Sequence, residues 1–218
     1  MHLLFQHGWG FSTDCWRDWL PALTAPYTLG NRGYWGPHCP LKLPADRPVL
    51  GLICHSLGLH FLPKELLCRA EILVIISGFA HFHGLAPTAG RFSRKHVRRM
   101  RSRMETDPAD LLHDFYRDCA CADWPVTEET MNQALLMEDL ALLDQHRLDK
   151  DHCAGLPPAL LLHGREDRIV PLARAEELAE LLDQSQVTVV DGAGHGLPFT
   201  HPLLCLEIIR AFREKIIH

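Results

Sequence analysis

The sequence predicts an α/β protein: a mostly parallel sheet with helices on both faces, interrupted by a helical insertion. Three observations carry that expectation. Short apolar runs alternate with helix-like segments in the first third of the chain, and the pattern returns in the last third. The runs are continuously apolar, as strands covered on both faces must be. Between about Phe79 and Asp151 no strand pattern appears.

The elements follow in order. Leu3–Gln6 reads as a short strand entering His7-Gly8-Trp9-Gly10. Asp14–Leu23 reads as a helix capped by Thr13 or Asp14. Val49–Cys54 is a buried strand ended by His55-Ser56-Leu57-Gly58, and Leu57–Arg69 a helix that Pro63 could kink. Ile72–Ser77 is a second buried strand, rich in β-branched residues. The middle offers three helices: Ser93–Met104, Pro108–Cys121 and Thr127–His146. Ala159–His163 is strand-like, Pro171–Gln184 a helix with its proline in the first turn, Val187–Val190 a strand and Leu203–Ile217 an amphipathic closing helix.

Composition bounds the function. At 218 residues, 47% hydrophobic and 22% charged, the chain suits one core with a sizeable insertion rather than two full domains. A net charge of −5 argues against general nucleic-acid binding. No run is long enough to span a bilayer, and the N-terminus lacks a basic, extended apolar leader. The expectation is a cytoplasmic monomer, not membrane-bound, with reduced cysteines, since the eight cysteines show no C-x-x-C spacing. His81-Phe82-His83 is the one pair that invites a metal reading, but no further ligand pattern accompanies it. No metal and no cofactor are expected.

The insertion is electrically lopsided. Arg91, Arg94, Lys95, Arg98, Arg99, Arg101 and Arg103 place seven cations in 13 residues, whereas Glu105 to Asp151 holds 13 acids and three bases. Two readings stand side by side: solvated helix faces that pair with one another, or a basic surface that meets an anionic partner.

Three short stretches carry chemistry. Cys54-His55-Ser56-Leu57-Gly58, between strand and helix, has the context of a G-x-S-x-G nucleophile elbow with Cys in place of the first Gly. A serine capping a helix is the plainer alternative. Asp167, in His163-Gly164-Arg165-Glu166-Asp167, lies just past a strand, where an acid can reach a histidine on the next loop; it is preferred to Glu166. His195, between Gly194 and Gly196, is the best candidate base. Ser56, Asp167 and His195 occur in the order Ser…Asp…His, each after a strand. His7-Gly8-Trp9-Gly10 could turn a backbone N–H toward the serine.

With these residues in place the chain resembles the α/β-hydrolases. Within them it is similar to the pimeloyl-[acyl-carrier protein] methyl ester esterases of biotin synthesis. The likeness is carried by His7-Gly8-Trp9-Gly10, His55-Ser56-Leu57-Gly58, His163 to Asp167 with Val170-Pro171, and Gly194 to Pro202 with its Pro-Phe-x-x-His-Pro run. It implies an α/β-hydrolase fold of about six strands, shortened at the N-terminus, with a core of 1–78 and 152–218 and a helical lid of 79–151. It implies a serine carboxylesterase with Ser56 as nucleophile, His195 as base, Asp167 as its orienter, and the N–H groups of Trp9 and Leu57 as oxyanion hole. Trp9, His55, Phe79 and Phe82 are expected at the substrate, and Arg94, Arg98, Arg99 and Arg101 at an acidic acyl-carrier protein. A general carboxylesterase or thioesterase, and a non-catalytic binding protein, are the alternatives. The chain departs from the family at Cys54, at the short N-terminus, and at Gly30-Asn31-Arg32-Gly33-Tyr34-Trp35-Gly36, which replaces a D-x-x-G-x-G-x-S run.

Overall fold

A computed structural model describes residues 2–42, 48–86 and 90–217. Among them six strands form one parallel sheet: β1 (His2–Gln6), β2 (Tyr27–Gly30), β3 (Val49–His55), β4 (Ala70–Ile76), β5 (Ala159–Gly164) and β6 (Ser185–Val190), in the order β2-β1-β3-β4-β5-β6. Five of the six coincide with apolar runs in the sequence. β2 does not: it is a four-residue edge strand, largely half-exposed, and pairs only with β1, so it needs no apolar run.

Side chains alternate across the sheet as the strand period requires. Leu52, Cys54, Leu73, Ile75 and Leu161 face one helical layer, which includes α1 (Lys64–Leu67) and α6 (Leu172–Leu181). Phe5, Ile53, Val74, Ile76, Leu160 and Leu162 face the other, which includes Trp16, Trp19 and Phe212.

Two expected helices are broken. Asp14–Leu23 is instead a pair of 3-10 turns, Thr13–Trp16 and Leu20–Ala22, capped by the Ser12 hydroxyl. Pro21 has no N–H to continue a helix. Trp16 and Trp19, three apart, both pack on Phe5, with ring centroids 5.2 and 6.0 Å away. Leu57–Arg69 is a 3-10 segment, Ser56–Phe61, followed by α1; Pro63 holds Leu62 extended and ends the first piece.

Between β4 and β5 lie α2 (Gly90–Thr106), α3 (Pro108–Asp118), α4 (Gln133–Gln145) and the single turn α5 (Lys150–Cys153). The expected helix over Thr127–His146 loses its first turn, because Asn132 caps α4 by accepting from the Leu135 N–H. After β6 come α7 (Leu197–Thr200) and α8 (Pro202–Ile217).

The loop that departs from the family run anchors the inserted helices. Arg32 donates from Nε and Nη2 to the two oxygens of Asp139 on α4, each at 2.8 Å, and the Tyr34 hydroxyl donates to Oδ2 at 2.6 Å. Asp139 is 1% exposed, while the Arg32 side chain is 24% exposed. Removing the cation leaves a buried carboxylate uncompensated. Arg32→Ala is expected to lower stability by about 2–4 kcal/mol, toward the low side because the guanidinium is partly solvated. Urea unfolding measures this, and Arg32→Lys is expected to restore only part, since an ammonium cannot make the fork.

Candidate active site

Ser56 follows β3 directly and takes φ of 53°, a left-handed conformation that strains any residue with a Cβ. The turn is tight on both sides. A Cβ on Gly8 would lie 2.8 Å from the His55 carbonyl oxygen and 2.9 Å from Ser56 Cβ. One on Gly58 would lie 2.8 Å from the carbonyl oxygens of Gln6 and His7. Glycine at both positions lets the end of β1 close on the serine turn. Cys54 needs no such closeness: its side chain is fully buried in the core, its thiol donates to the Val74 carbonyl at 3.6 Å, and burial pushes that thiol far up, so it stays protonated.

His195 and Asp167 meet Ser56 from the loops after β6 and β5. His195 Nδ1 lies 2.8 Å from Asp167 Oδ2, and Nε2 lies 3.1 Å from Ser56 Oγ. Burial acts to raise the Asp167 carboxyl, but the His195 and His163 imidazoles and the Val170 N–H outweigh it and hold the group low. Oδ1 accepts from the Ile169 and Val170 N–H groups at 2.9 and 2.8 Å. A carboxylate only accepts, so His195 carries its proton on Nδ1. Its Nε2 lone pair therefore faces the Ser56 hydroxyl, which donates to it. Glu166, the rejected alternative, is exposed.

The two loops are interlocked. Glu166 N–H donates to the Ala193 carbonyl at 2.9 Å and Gly196 N–H to that of Cys119, at the end of α3, at 3.0 Å. His55 contributes from beneath. It was expected at the substrate, but it is fully buried and absent from the cavity wall, with Nε2–H donating to the His195 carbonyl at 3.0 Å. Desolvation pushes it down to about 3, so it is neutral. Through that bond its side chain positions the backbone of His195.

A cavity of about 470 Å³ opens above Ser56. Trp9 and Leu57 line it beside the serine. Leu57 lies in the first turn of the 3-10 segment, where N–H groups have no helical partner. The Trp9 segment is held from two inserted helices and from the loop after β2: Trp9 Nε1 donates to the Leu136 carbonyl at 2.9 Å, and the Gly10 carbonyl accepts from Trp35 Nε1 at 3.1 Å and from the Tyr116 hydroxyl. Phe82, Met100, Phe115 and Leu143 make the walls apolar. Phe79, expected there, sits one layer back, its ring 5.6 Å from that of Phe82 and 4.8 Å from that of His60. Sequence reasoning missed Met100, Phe115 and Leu143. Their inward helical faces were readable, but not which site those faces would cover. It also missed Ser93, His83, Arg168 and Arg174, which line the same cavity.

The basic segment is α2. Arg94, Arg98 and Arg99 are exposed and Arg101 half-buried. Arg103 pairs with Asp110 and Asp114 of α3, both at 2.7 Å. Among the described residues Arg91, Arg94, Lys95, Arg98, Arg99 and Arg101 form no ion pair, so mutual pairing explains one cation of the seven. All eight cysteines are free. Among the described residues no helix is long and apolar enough to cross a membrane.

Comparison with known proteins adds to this geometry. The family described as alpha/beta hydrolase fold matches residues 52–202. A pimeloyl-[acyl-carrier protein] methyl ester esterase of Aromatoleum aromaticum is 27% identical over 95% of this chain and 96% of its own length. Among solved structures, a bromoperoxidase from Bacillus anthracis superposes with a TM-score of 0.76 at 17% identity, over 98% of this chain and 91% of that one. A hydrolase from Oleispira antarctica superposes with a TM-score of 0.75 at 16% identity, over 98% and 90%.

Proposed function

Since the chain belongs to the alpha/beta hydrolase fold family, we propose that it is a serine ester hydrolase acting on the methyl ester of a medium-length acyl chain borne by an acyl-carrier protein. One observation carries the chemistry: an unbroken hydrogen-bond chain from Asp167 through His195 to Ser56 at the floor of an apolar cavity. His195 Nε2 takes the Ser56 proton as Oγ bonds to the ester carbonyl carbon. The oxyanion is received by the N–H groups of Trp9 and Leu57, each worth roughly 10²–10³ in rate. The imidazolium then protonates the leaving oxygen and the alcohol departs. Water, deprotonated by the same nitrogen, attacks the acyl-enzyme and frees the acid. Asp167 orients the ring and stabilises its charged form throughout.

The substrate assignment rests on two supports. The Aromatoleum relative carries that activity in its name. The unpaired cations of α2 offer an acidic carrier a complementary face on the helix that also lines the cavity. In this reading 1–78 and 152–218 are the catalytic core and 79–151 the lid, with Arg94, Arg98, Arg99 and Arg101 meeting the carrier. The test is salt. Between about 0.05 M and about 0.5 M, kcat/KM on the carrier-bound methyl ester is expected to fall about tenfold or more, while that on a soluble p-nitrophenyl ester changes less than about twofold. An equal response of both would remove the carrier from the proposal and leave a general carboxylesterase.

A further inference from the structure

A second serine, histidine and aspartate are hydrogen-bonded in the cavity wall, apart from Ser56. His83 Nε2 lies 2.9 Å from Asp144 Oδ1, and Nδ1 lies 2.8 Å from Ser93 Oγ. His83 is 1% exposed, and both His83 and Ser93 line the cavity. The three come from separate elements: the loop after β4, the first turn of α2 and the end of α4. Ser93 sits on an ordinary helix, without the left-handed backbone of Ser56, so it is a binding group rather than a second nucleophile.

The proton order follows from the chemistry of the partners. The Asp144 carboxylate can only accept, so His83 holds its proton on Nε2. Burial and the nearby Arg94 charge push the ring down against the pull of Asp144, which keeps it neutral. Nδ1 is then an acceptor, and the Ser93 hydroxyl spends its single hydrogen on it. The 2.8 Å contact is shorter than the alternative donation to the Gly90 carbonyl at 3.2 Å. Ser93 Oγ is left with lone pairs and no hydrogen to give. Polarised from Asp144 through His83, it is a strong acceptor in a largely apolar wall whose other charged groups, Arg168 and Arg174, only donate.

We propose that Ser93, held by His83 and Asp144, is a specificity site that accepts a hydrogen bond from an N–H or O–H donor on the part of the substrate lying away from the scissile ester. The proposal rests on the esterase reading and deepens it: the preferred substrate is an ester whose far end carries a secondary amide or a hydroxyl. A plain alkyl chain would cover the polarised oxygen without pairing it, which costs binding.

The test uses two methyl esters of one medium-chain diacid, with the far carboxyl capped as an N-methylamide or as an N,N-dimethylamide. They differ in the donor N–H. The native enzyme is expected to favour the N-methylamide by about tenfold or more in kcat/KM. Ser93→Ala is expected to bring the ratio close to one, and Ser93→Thr, which keeps a hydroxyl, to retain it. A ratio does not depend on the fraction of folded enzyme, so partial misfolding of a variant cannot mimic the result. A ratio near one in the native enzyme, or a preference that survives Ser93→Ala, would overturn the proposal. Failure to hydrolyse either ester, together with an unreactive Ser56, would instead overturn the esterase reading beneath it.

Discussion

Ser56→Ala is expected to lower kcat on any accepted ester by about 10⁴–10⁶-fold, the scale on which removal of a serine nucleophile acts. The loss is this large because the whole constellation serves one oxygen. The Asp167–His195 pair holds a lone pair at 3.1 Å from Oγ, and alanine gives it nothing to deprotonate. KM should change little, since the Ser56 hydroxyl is a small part of a cavity walled by Phe82, Met100, Phe115 and Leu143. Stability should hold, because alanine keeps the Cβ and with it the same strain at φ of 53°. A fluorophosphonate probe gives the direct readout: one labelled site in the native protein and none in Ser56→Ala. An unlabelled native protein would point to a binding module, and a variant retaining a tenth of the activity would mean the nucleophile lies elsewhere.

The largest expected effect on stability is acid lability below pH 6.5. Desolvation lowers His7 to about 4, and His55 and His60 to about 3. Each is fixed in one neutral form. His7 Nε2 accepts from the Arg32 N–H at 2.9 Å. His55 Nδ1 faces the core with no partner. His60 donates from Nε2 to the Phe79 carbonyl at 3.0 Å and accepts at Nδ1 from His146 Nδ1 at 2.8 Å. In the unfolded chain all three titrate near the ordinary histidine value of about 6.5. Above that pH neither state is protonated and stability is whole. Below it the unfolded chain gains protons that the folded one refuses, until the pH reaches about 4 and about 3. At roughly 1.4 kcal/mol per unit per group, pH 5 removes about 2 kcal/mol for each, or about 6 kcal/mol together. That is comparable with the whole stability of many domains. Urea midpoints at pH 8, 6.5 and 5 measure it, with His60→Gln expected to flatten the slope by about a third. Equal midpoints at pH 6.5 and 5 would contradict it. The depressed Asp167 acts in a lower window: its contribution is present above the ordinary carboxylate value and is lost only as pH falls through its folded one.

How much was readable depended on whether an interaction is local. The four inner strands stood out because a strand covered on both faces must be apolar along its length; of the two edge strands, which need not be, β6 still showed through Val187–Val190 and β2 did not. The residues of the serine turn were legible because glycine spacing and chain order are properties of the chain itself. The role of His55 was not: alternate residues at the end of β3 face opposite ways, and only packing tells which side is the cavity. Met100, Phe115 and Leu143 come from three helices whose rotation about their axes the sequence leaves open. His83 and Ser93 are ten residues apart and Asp144 is sixty-one from His83, so no motif joins them.

The bonds that fix Trp9 and Gly10 also bear on how the scaffold can be re-engineered. The carbonyl of Gly10 and the indole of Trp9 are gripped by Trp35, by Tyr116 of α3 and by Leu136 of α4. The inserted helices are therefore not an interchangeable part. A chimera that grafts another scaffold's helices onto this sheet must also supply the Tyr116 and Leu136 grips, or the proposed oxyanion donors will drift even though Ser56, His195 and Asp167 are retained. Substitutions aimed at new substrates are better confined to the Phe92 edge of the cavity, on α2, which bears none of that load.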